Sequence, residues 1–454
     1  MNQHAKIETV EVIEPRPPAY SDDALALRFV DKHAGDLRYV AKWGQWLSWR
    51  GTHWRFDDTL RAFDMARAVC RGAATECNKP KIASVIASAK TVAAVERLAK
   101  SDRRIAATID QWDANPWLLN APRGVIDLRN GEQRLARPED YCTKITAVSP
   151  GGECPRWLQF LDEITAGDLD LQAYLWRVCG YALTGVTREH ALFFGYGTGG
   201  NGKSVLLKTV ADILGGHYHK TAPIETFTAT NTDRHPTDLA GLLGARLVTA
   251  IETEEGRRWA ESKIKTLTGG DKVSARFMRQ DFFEFVPQFK LFIAGNHKPG
   301  LRSVDEAIRR RFHLIPFTVT IPPERRDEEL QEKLKAEWPA ILQWMIEGCR
   351  EWQREGLKPP QAVRDATAAY LEAEDAIAAW IDDKAERDGR AWESLADLFA
   401  SWSGWAERAG EFVGPQKRFA DNLETRGFVR HKRMTGQGFF GLRLNTPTYR
   451  DVET

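Results

Sequence analysis

Cysteine, methionine and long apolar runs are scarce in this chain. Its 454 residues include 6 Cys and 5 Met. The cysteines (Cys70, Cys77, Cys142, Cys154, Cys179 and Cys349) form no CxxC pair and no Cys/His cluster with zinc-finger spacing. That excludes a disulfide scaffold and speaks against structural zinc. Scattered thiols suit a reducing compartment, so a cytoplasmic location is expected. No apolar stretch reaches the ~18 residues that a bilayer span needs, so no membrane partner is expected. The start, MNQHAKIETVEVIEPRPP, lacks the apolar core of a secretory signal. Charge of one sign is missing too. Lys plus Arg total 64 against 63 Asp plus Glu, a net charge of +1. That excludes a bulk polycation but leaves room for a local basic groove.

Tryptophan is the surplus, at 16 residues. Core packing and interfaces are the expected use of most such rings. Stacking of bases on Trp43, Trp46 or Trp49 is the sharper alternative. The length suggests about three domains. Residues 1–20 read as a flexible leader and 21–150 as an N-terminal α+β domain. Residues 151–322 read as an α/β domain with a helical segment before it, and 323–373 as a helical connector. Residues 374–454 read as a separate small domain. Within this plan Ser21-Asp22-Asp23 caps a helix start. RYVAKWGQWLSWRGTHWRFDD nearly alternates its aromatics and predicts a short β-meander. A hairpin is expected at Arg129-Asn130-Gly131-Glu132.

Gly197-Thr198-Gly199-Gly200-Asn201-Gly202-Lys203-Ser204 matches G-x-x-x-x-G-K-[ST] throughout. It follows a predicted strand, 191–196, and opens a predicted helix, SVLLKTVADIL, which is the context this motif requires. Backbone N–H groups of such a loop cradle phosphate oxygens, and the helix dipole favours the anion. Lys203 reaches the β- and γ-phosphates of ATP. Ser204 can ligate Mg²⁺, which prefers oxygen donors.

A second apolar strand, 246–251, runs into Glu252-Thr253-Glu254. Carboxylates there suit metal binding through water and activation of a nucleophilic water. The strand 289–294 leads to Asn296, whose amide can orient that water. Arg309-Arg310-Arg311 follow, and guanidinium groups stabilise charge on a phosphoryl group in transfer. Residues 276–286 carry enough aromatics for a hairpin.

In order and spacing these four elements resemble superfamily 3 helicases, a branch of the AAA+ ATPases. They are most similar to the helicase part of phage and plasmid primase–helicases of the satellite-phage and poxvirus type. ETEEGRRWAESKIKTLTGGDKVSARFMRQDFFEFVPQFKLFIAGNHKP carries the resemblance, and LLNAPRGVIDLRNGEQRLARPEDYCTKIT resembles the domain preceding the helicase. By this resemblance Lys203 and Ser204 match Walker A, Glu252 and Glu254 Walker B, and Asn296 sensor 1. Arg310 or Arg311 falls at the finger that reaches a neighbouring subunit's ATP. Lys265, Thr268, Gly269, Gly270, Asp271 and Arg276 fall in the B′ element. Its adjoining hairpin grips single-stranded DNA in that superfamily. The tip falls within 276–280, which makes Arg276 and Arg279 candidate DNA contacts. Thr253 splits the Walker B acids. Either Glu can serve the metal, with Glu252 favoured because it ends the strand.

The resemblance implies a ring, a hexamer, moving 3′ to 5′ on single-stranded or forked DNA. The setting is replication of a phage, prophage or plasmid in a bacterial host. The stretch before Asn120 is short for a polymerase-type primase domain. A primase, loader or polymerase is therefore expected as a separate partner.

Near the C-terminus, helices are expected at 377–384, 392–405 and 415–425. The last carries Lys417 and Arg418. Residues 427–434 and 439–444 are expected to pair across a turn at 435–438 as a wing with Lys432 and Arg433 near its tip. These basic groups suit phosphate contacts. The expected fold class is α/β: a P-loop AAA+-type core with a mixed N-terminal domain and a C-terminal winged helix. Two other functions fit parts of this pattern. One is an ATP-switched origin-binding protein without processive unwinding. The other is a packaging motor, which lacks its usual nuclease carboxylates here.

Overall fold

The structure is a computed structural model that describes residues 16–229, 237–252, 257–278, 281–301, 304–411, 413–433 and 436–445. It is a mixed α/β protein in two compact units: residues up to 126 with 133–145, and residues 127–132 with 146 onward. No helix among the described residues is long and apolar enough to cross a membrane.

The first unit opens with α1 (Asp22–His33), whose N-cap Ser21 accepts the Ala24 N–H. The expected meander follows as β1 (Leu37–Val40), β2 (Gln45–Trp49) and β3 (Trp54–Phe56). Helices α2 (Arg61–Glu76), α3 (Pro80–Ile86) and α4 (Ala89–Ala99) come next, then β4 (Ala106–Ala107), β5 (Leu118–Ala121), β6 (Gly124–Asp127) and β7 (Glu132–Arg134). The first sheet is ordered β3-β2-β1-β4. Its tryptophans mostly serve the core. Trp54 is fully buried and donates to the Pro138 carbonyl at 2.9 Å, and Trp46 is buried against Phe29 and Tyr39. Among Trp43, Trp46 and Trp49, only Trp43 is exposed.

The second unit begins with α5 (Pro155–Thr165) and α6 (Leu169–Ala182), then β8 (Leu192–Tyr196), α7 (Lys203–Tyr218) and β9 (His219–Thr221). Next come α8 (Thr237–Ala240), β10 (Leu247–Glu252), α9 (Glu261–Gly269), β11 (Val273–Ala275), β12 (Phe283–Phe285), β13 (Lys290–Gly295), α10 (Glu306–Arg309) and β14 (Phe312–Pro316). Strands β14-β8-β13-β10-β9 form one sheet in that order, with every pairing parallel. Buried on both faces, such strands need continuous apolar runs. LFFGY and KLFIAG supply them, and Leu192, Phe194, Leu291 and Ile293 are fully buried.

Two buried cations anchor α6 behind this sheet. Lys290 donates to the Thr184, Val186 and Gln288 carbonyls, and Arg246 to the Leu183 carbonyl. Cations at a helix C-terminus complement its dipole. Burial, with the nearby Arg246, drives the Lys290 ammonium well below its usual range.

Six helices and a small sheet complete the described part of the unit: α11 (Leu330–Ala336), α12 (Trp338–Glu355), α13 (Gln361–Ala373), α14 (Ala376–Lys384), β15 (Ala385–Ser394), α15 (Leu395–Ala409), α16 (Gln416–Thr425), β16 (Val429–Arg433) and β17 (Gly436–Leu444). Trp380, Leu398, Trp402, Phe419, Leu423, Phe439 and Leu442 form the core of its last part.

Three local expectations need correction. Residues 392–394, read as a helix start, end strand β15, which pairs with β17 and slips register between Asp388 and Trp392. Of the turn expected at 435–438, Gly436, Gln437 and Gly438 belong to β17 and pair with Arg433, Lys432 and His431. Gly438 lies inside β17, where a Cβ would meet the Trp392 ring. The hairpin expected over 276–286 starts earlier, with β11 pairing β12 from Val273↔Phe285.

Helices α6 and α12 pack through glycine. A Cβ on Gly348 would strike the Trp176 carbonyl, and one on Gly180 the Cys349 backbone. Gly348→Ala is therefore expected to cost about 3 kcal/mol, the upper range for overpacking. A thermal melt checks it, and an unchanged melt contradicts the packing described. His313 on β14 gives a pH prediction. Its Nδ1 lies 2.8 Å from the Tyr174 hydroxyl, and burial lowers its pKa from 6.5 to about 4. The neutral ring's stabilisation is complete above pH 6.5 and is lost as pH falls towards 4. The melting-temperature lead of wild type over His313→Gln should shrink as pH falls from neutral into that window.

Candidate functional site

Strand register aligns the site. Tyr196 pairs with Gly295 and with Pro316, and Gly295 pairs with Glu252. Four neighbouring strands thus end level at their C-terminal edge, where ligands bind in parallel α/β sheets. The next residues along the chain are Gly197 after β8, Asn296 after β13 and Phe317 after β14. Glu252 stands two strands from β8, about 10 Å at the usual strand spacing.

Residues 197–202 join β8 to α7, whose N-cap is Gly202 at φ 80°. Gly197 at φ 151° has no room for a side chain, since a Cβ would strike the Phe317 carbonyl. The segment after β14 straps this loop. The Phe317 N–H donates to the Tyr196 carbonyl at 2.8 Å, and the Ile321 N–H to the Gly200 carbonyl at 2.9 Å. Asn201 is buried and donates its amide to the Phe317 carbonyl at 3.0 Å. Arg326 donates to the Ile321 carbonyl at 2.9 Å and lies where a Cβ on Gly200 would be.

Lys203, 6 % exposed, turns back into the loop. Its ammonium donates to the Gly197 carbonyl at 2.5 Å and to Asn201 Oδ1 at 3.1 Å. Burial lowers its pKa. Ser204, next along α7, is exposed, as is Asn296. Thr198 and Gly199 complete the loop. Lys298 lies 4.1 Å from the Tyr196 ring centre, and burial lowers its pKa. Glu252 is fixed as the last residue of β10. Glu254 and Arg279 lie outside the described residues.

The arginines part company. Arg311 is buried within its own chain. It donates to the Thr268 hydroxyl at 3.1 Å and to the Ala307 carbonyl at 2.7 Å. Burial, then the adjacent Arg310, lowers its pKa. Arg310 is exposed. Lys265 pairs with Asp305, the N-cap of α10.

The candidate DNA contacts also differ. Arg276 lies over the Phe282 ring at 4.7 Å on a hairpin whose Phe277, Met278 and Phe282 are exposed. Lys417 and Lys432 are exposed and Arg418 is half-buried. Arg433 covers the Trp392 and Phe440 rings at 4.8 and 5.0 Å. Sequence reasoning missed Arg326 and Lys298. Lys298 stands two residues past Asn296 and could have been noticed. The strap lies about 120 residues from the loop, and no local signal announces it.

Two family models match the chain. One, described as "D5 N terminal like", matches residues 26–166, and a family of unknown function, DUF5906, matches 195–311. "Putative helicase L207/L206" of Acanthamoeba polyphaga mimivirus is 26 % identical over 351 residues, covering 71 % of this chain and 36 % of that protein. "Putative helicase 022R" of Frog virus 3 is 24 % identical over 330 residues, covering 67 % and 32 %. "Putative primase C962R" of African swine fever virus (isolate Warthog/Namibia/Wart80/1980) is 25 % identical over 213 residues, covering 45 % and 22 %. The chain spans about a third of the length of the first two. Among solved structures, the A-form apo structure of the NrS-1 C-terminal region aligns with a TM-score of 0.48 at 12 % identity, covering 89 % of this chain and 86 % of that one. The D5-type N-terminal match and the viral helicase and primase relatives agree: the chain is similar to primase–helicases of the phage and poxvirus type.

Proposed function

We propose that this chain is an ATP-driven DNA helicase that works as a ring, with ATP held between adjacent subunits. The carrying observation is the level sheet edge, which gathers the glycine-rich loop, Glu252 and Asn296 within one or two strand spacings. In this reading the five-stranded core is a P-loop AAA+-type ATPase. The last part, two helices and the β16–β17 hairpin behind α14, is a winged helix.

Each residue has a definite task. Backbone N–H groups of residues 198–204 receive the phosphate oxygens at the α7 N-terminus, where the dipole favours them. The Lys203 ammonium leaves the Gly197 carbonyl for the β- and γ-phosphates. Phosphate offsets the desolvation that its buried position imposes on the cation. Asn296 orients the attacking water, and a carboxylate of the Glu252/Glu254 pair accepts its proton. Water adds to the γ-phosphorus, the bond to the β–γ bridging oxygen breaks, and ADP and phosphate result.

The donors fit Mg²⁺. The Ser204 hydroxyl and the Glu252 carboxylate are hard oxygen ligands, few enough to leave room for water and phosphate. Among the described residues no cluster of three or more His, Cys, Asp or Glu competes as a metal site. When bound, the ion neutralises charge on the phosphates.

The finger is assigned to Arg310. Arg311 is committed to Thr268 and Ala307, whereas Arg310 is exposed one residue past α10. Channel contacts with single-stranded DNA are assigned to the β11–β12 hairpin with Arg276, and phosphate contacts to Lys417, Arg418 and Lys432. Ring size, 3′ to 5′ direction, and service to phage, prophage or plasmid replication beside a separate primase or loader complete the reading.

The test is ATP hydrolysis and strand separation by purified protein with and without single-stranded DNA. Lys203→Ala should abolish turnover. DNA should stimulate wild type, and Arg310→Ala should lower kcat at least about a hundredfold, given the weight of such a finger. Robust hydrolysis indifferent to DNA, without strand separation, would overturn the helicase reading in favour of an ATP-driven switch.

A further inference from the structure

Three contacts hold the short helix α10 and the arginines at its end. At its start, Asp305 accepts the Ile308 N–H at 2.8 Å and pairs with Lys265 of α9. Past its end, Arg311 is bonded to Thr268 at the far end of α9. Both contacts belong to the ATPase core. The third does not. Arg309, immediately before the exposed Arg310, sets its guanidinium 3.3 Å from Asp375.

Asp375 is buried, and its two oxygens serve three clients. It caps α14 by accepting the Ala378 N–H at 3.2 Å. It accepts both terminal nitrogens of Arg426, one at 2.9 Å, and it faces Arg309. Arg426 is the C-cap of α16. The preceding Glu374 accepts the Leu301 N–H at 2.7 Å, so the chain is pinned to the core at two successive residues. A buried carboxylate shared by two guanidiniums fixes all three groups, because removing one partner leaves buried charge unpaired.

We propose that Asp375 is a positioning residue for Arg310. It holds α10 through Arg309, is itself held by Arg426 of the C-terminal helix, and so sets where Arg310 stands for the neighbouring subunit's nucleotide. This inference rests on the reading of Arg310 as acting between subunits. The Asp375 side chain touches neither nucleotide nor reacting atoms, and its effect on hydrolysis runs through the placement of α10.

The test separates trans from cis effects. Asp375→Asn keeps the volume and removes the charge. Arg309→Gln alters only the α10 side of the contact, at a side chain 42 % exposed, and should leave folding intact. Both variants should lower kcat for ATP at least about tenfold, as small misplacements of a catalytic group do. KM should stay within about twofold, because the glycine-rich loop is untouched. Each is then mixed with Lys203→Ala protein before ring assembly. The Lys203→Ala subunit cannot turn over ATP but offers a well-placed Arg310. Mixed rings should therefore hydrolyse ATP faster than either protein alone. Arg310→Ala mixed with Lys203→Ala is the reference. If that pair regains activity and the Asp375→Asn and Arg309→Gln pairs do not, Asp375 acts within its own subunit and the inference falls. If the reference pair also stays inactive, the trans reading itself falls and takes the inference with it. A rise in KM with unchanged kcat overturns the inference as well.

Discussion

Backbone hydrogen bonds between β14, β8, β13 and β10 set Pro316, Tyr196, Gly295 and Glu252 in one row. Side-chain chemistry at the site depends on that register. A slip of one residue in a strand turns its side chains to the opposite face. It would move Asn296 or Glu252 by ~3.3 Å along the strand as well. The register is strongly specified because the strands are buried on both faces and packed with Leu, Phe and Ile. The apolar core thus has a chemical consequence: it decides which polar residues meet at the sheet edge.

Backbone carbonyls then manage the cations. Lys203 rests on Gly197, Lys290 on Thr184, Val186 and Gln288, Arg246 on Leu183, and Arg311 on Ala307. A buried charge without a partner is costly. Among these four only Lys203 has its ammonium at the C-terminal edge of the sheet, held by a carbonyl and an amide oxygen and no carboxylate. In the proposed reading an arriving phosphate displaces those neutral acceptors, because it adds the attraction of opposite charges to the hydrogen bond. Lys290 and Arg246 sit at the other end of the sheet, Arg246 on the C-cap carbonyl of α6 and Lys290 on carbonyls of the segments next to it, and hold the scaffold.

The loop was legible in the sequence because its signals are local: an apolar strand, glycines at fixed spacing, Lys203 and a helix. The helices and strands of the core followed from apolar runs in the same way. What was not legible depends on distant partners. AERDGRAWES has few apolar residues, and its strand conformation comes from pairing with β17. Gly436 and Gly438 carry turn residues' identity, yet Gly438 makes room for Trp392 within a strand. The strap from Phe317 to Arg326 meets the loop through backbone groups, which any sequence supplies. The two arginines after Arg309 are identical as letters, and only burial separates Arg311 from Arg310. Asp375 resembles any helix cap until Arg309 and Arg426 are seen to converge on it.

In the proposed ring a neighbouring subunit completes each nucleotide site. The most direct measurement is the hydrolysis rate per subunit against protein concentration, at saturating ATP and single-stranded DNA. A shared site requires a rate that climbs steeply with concentration as subunits assemble, then levels off. A rate per subunit that stays constant down to dilutions where light scattering finds only monomer would contradict it, because the site would then be complete within one chain.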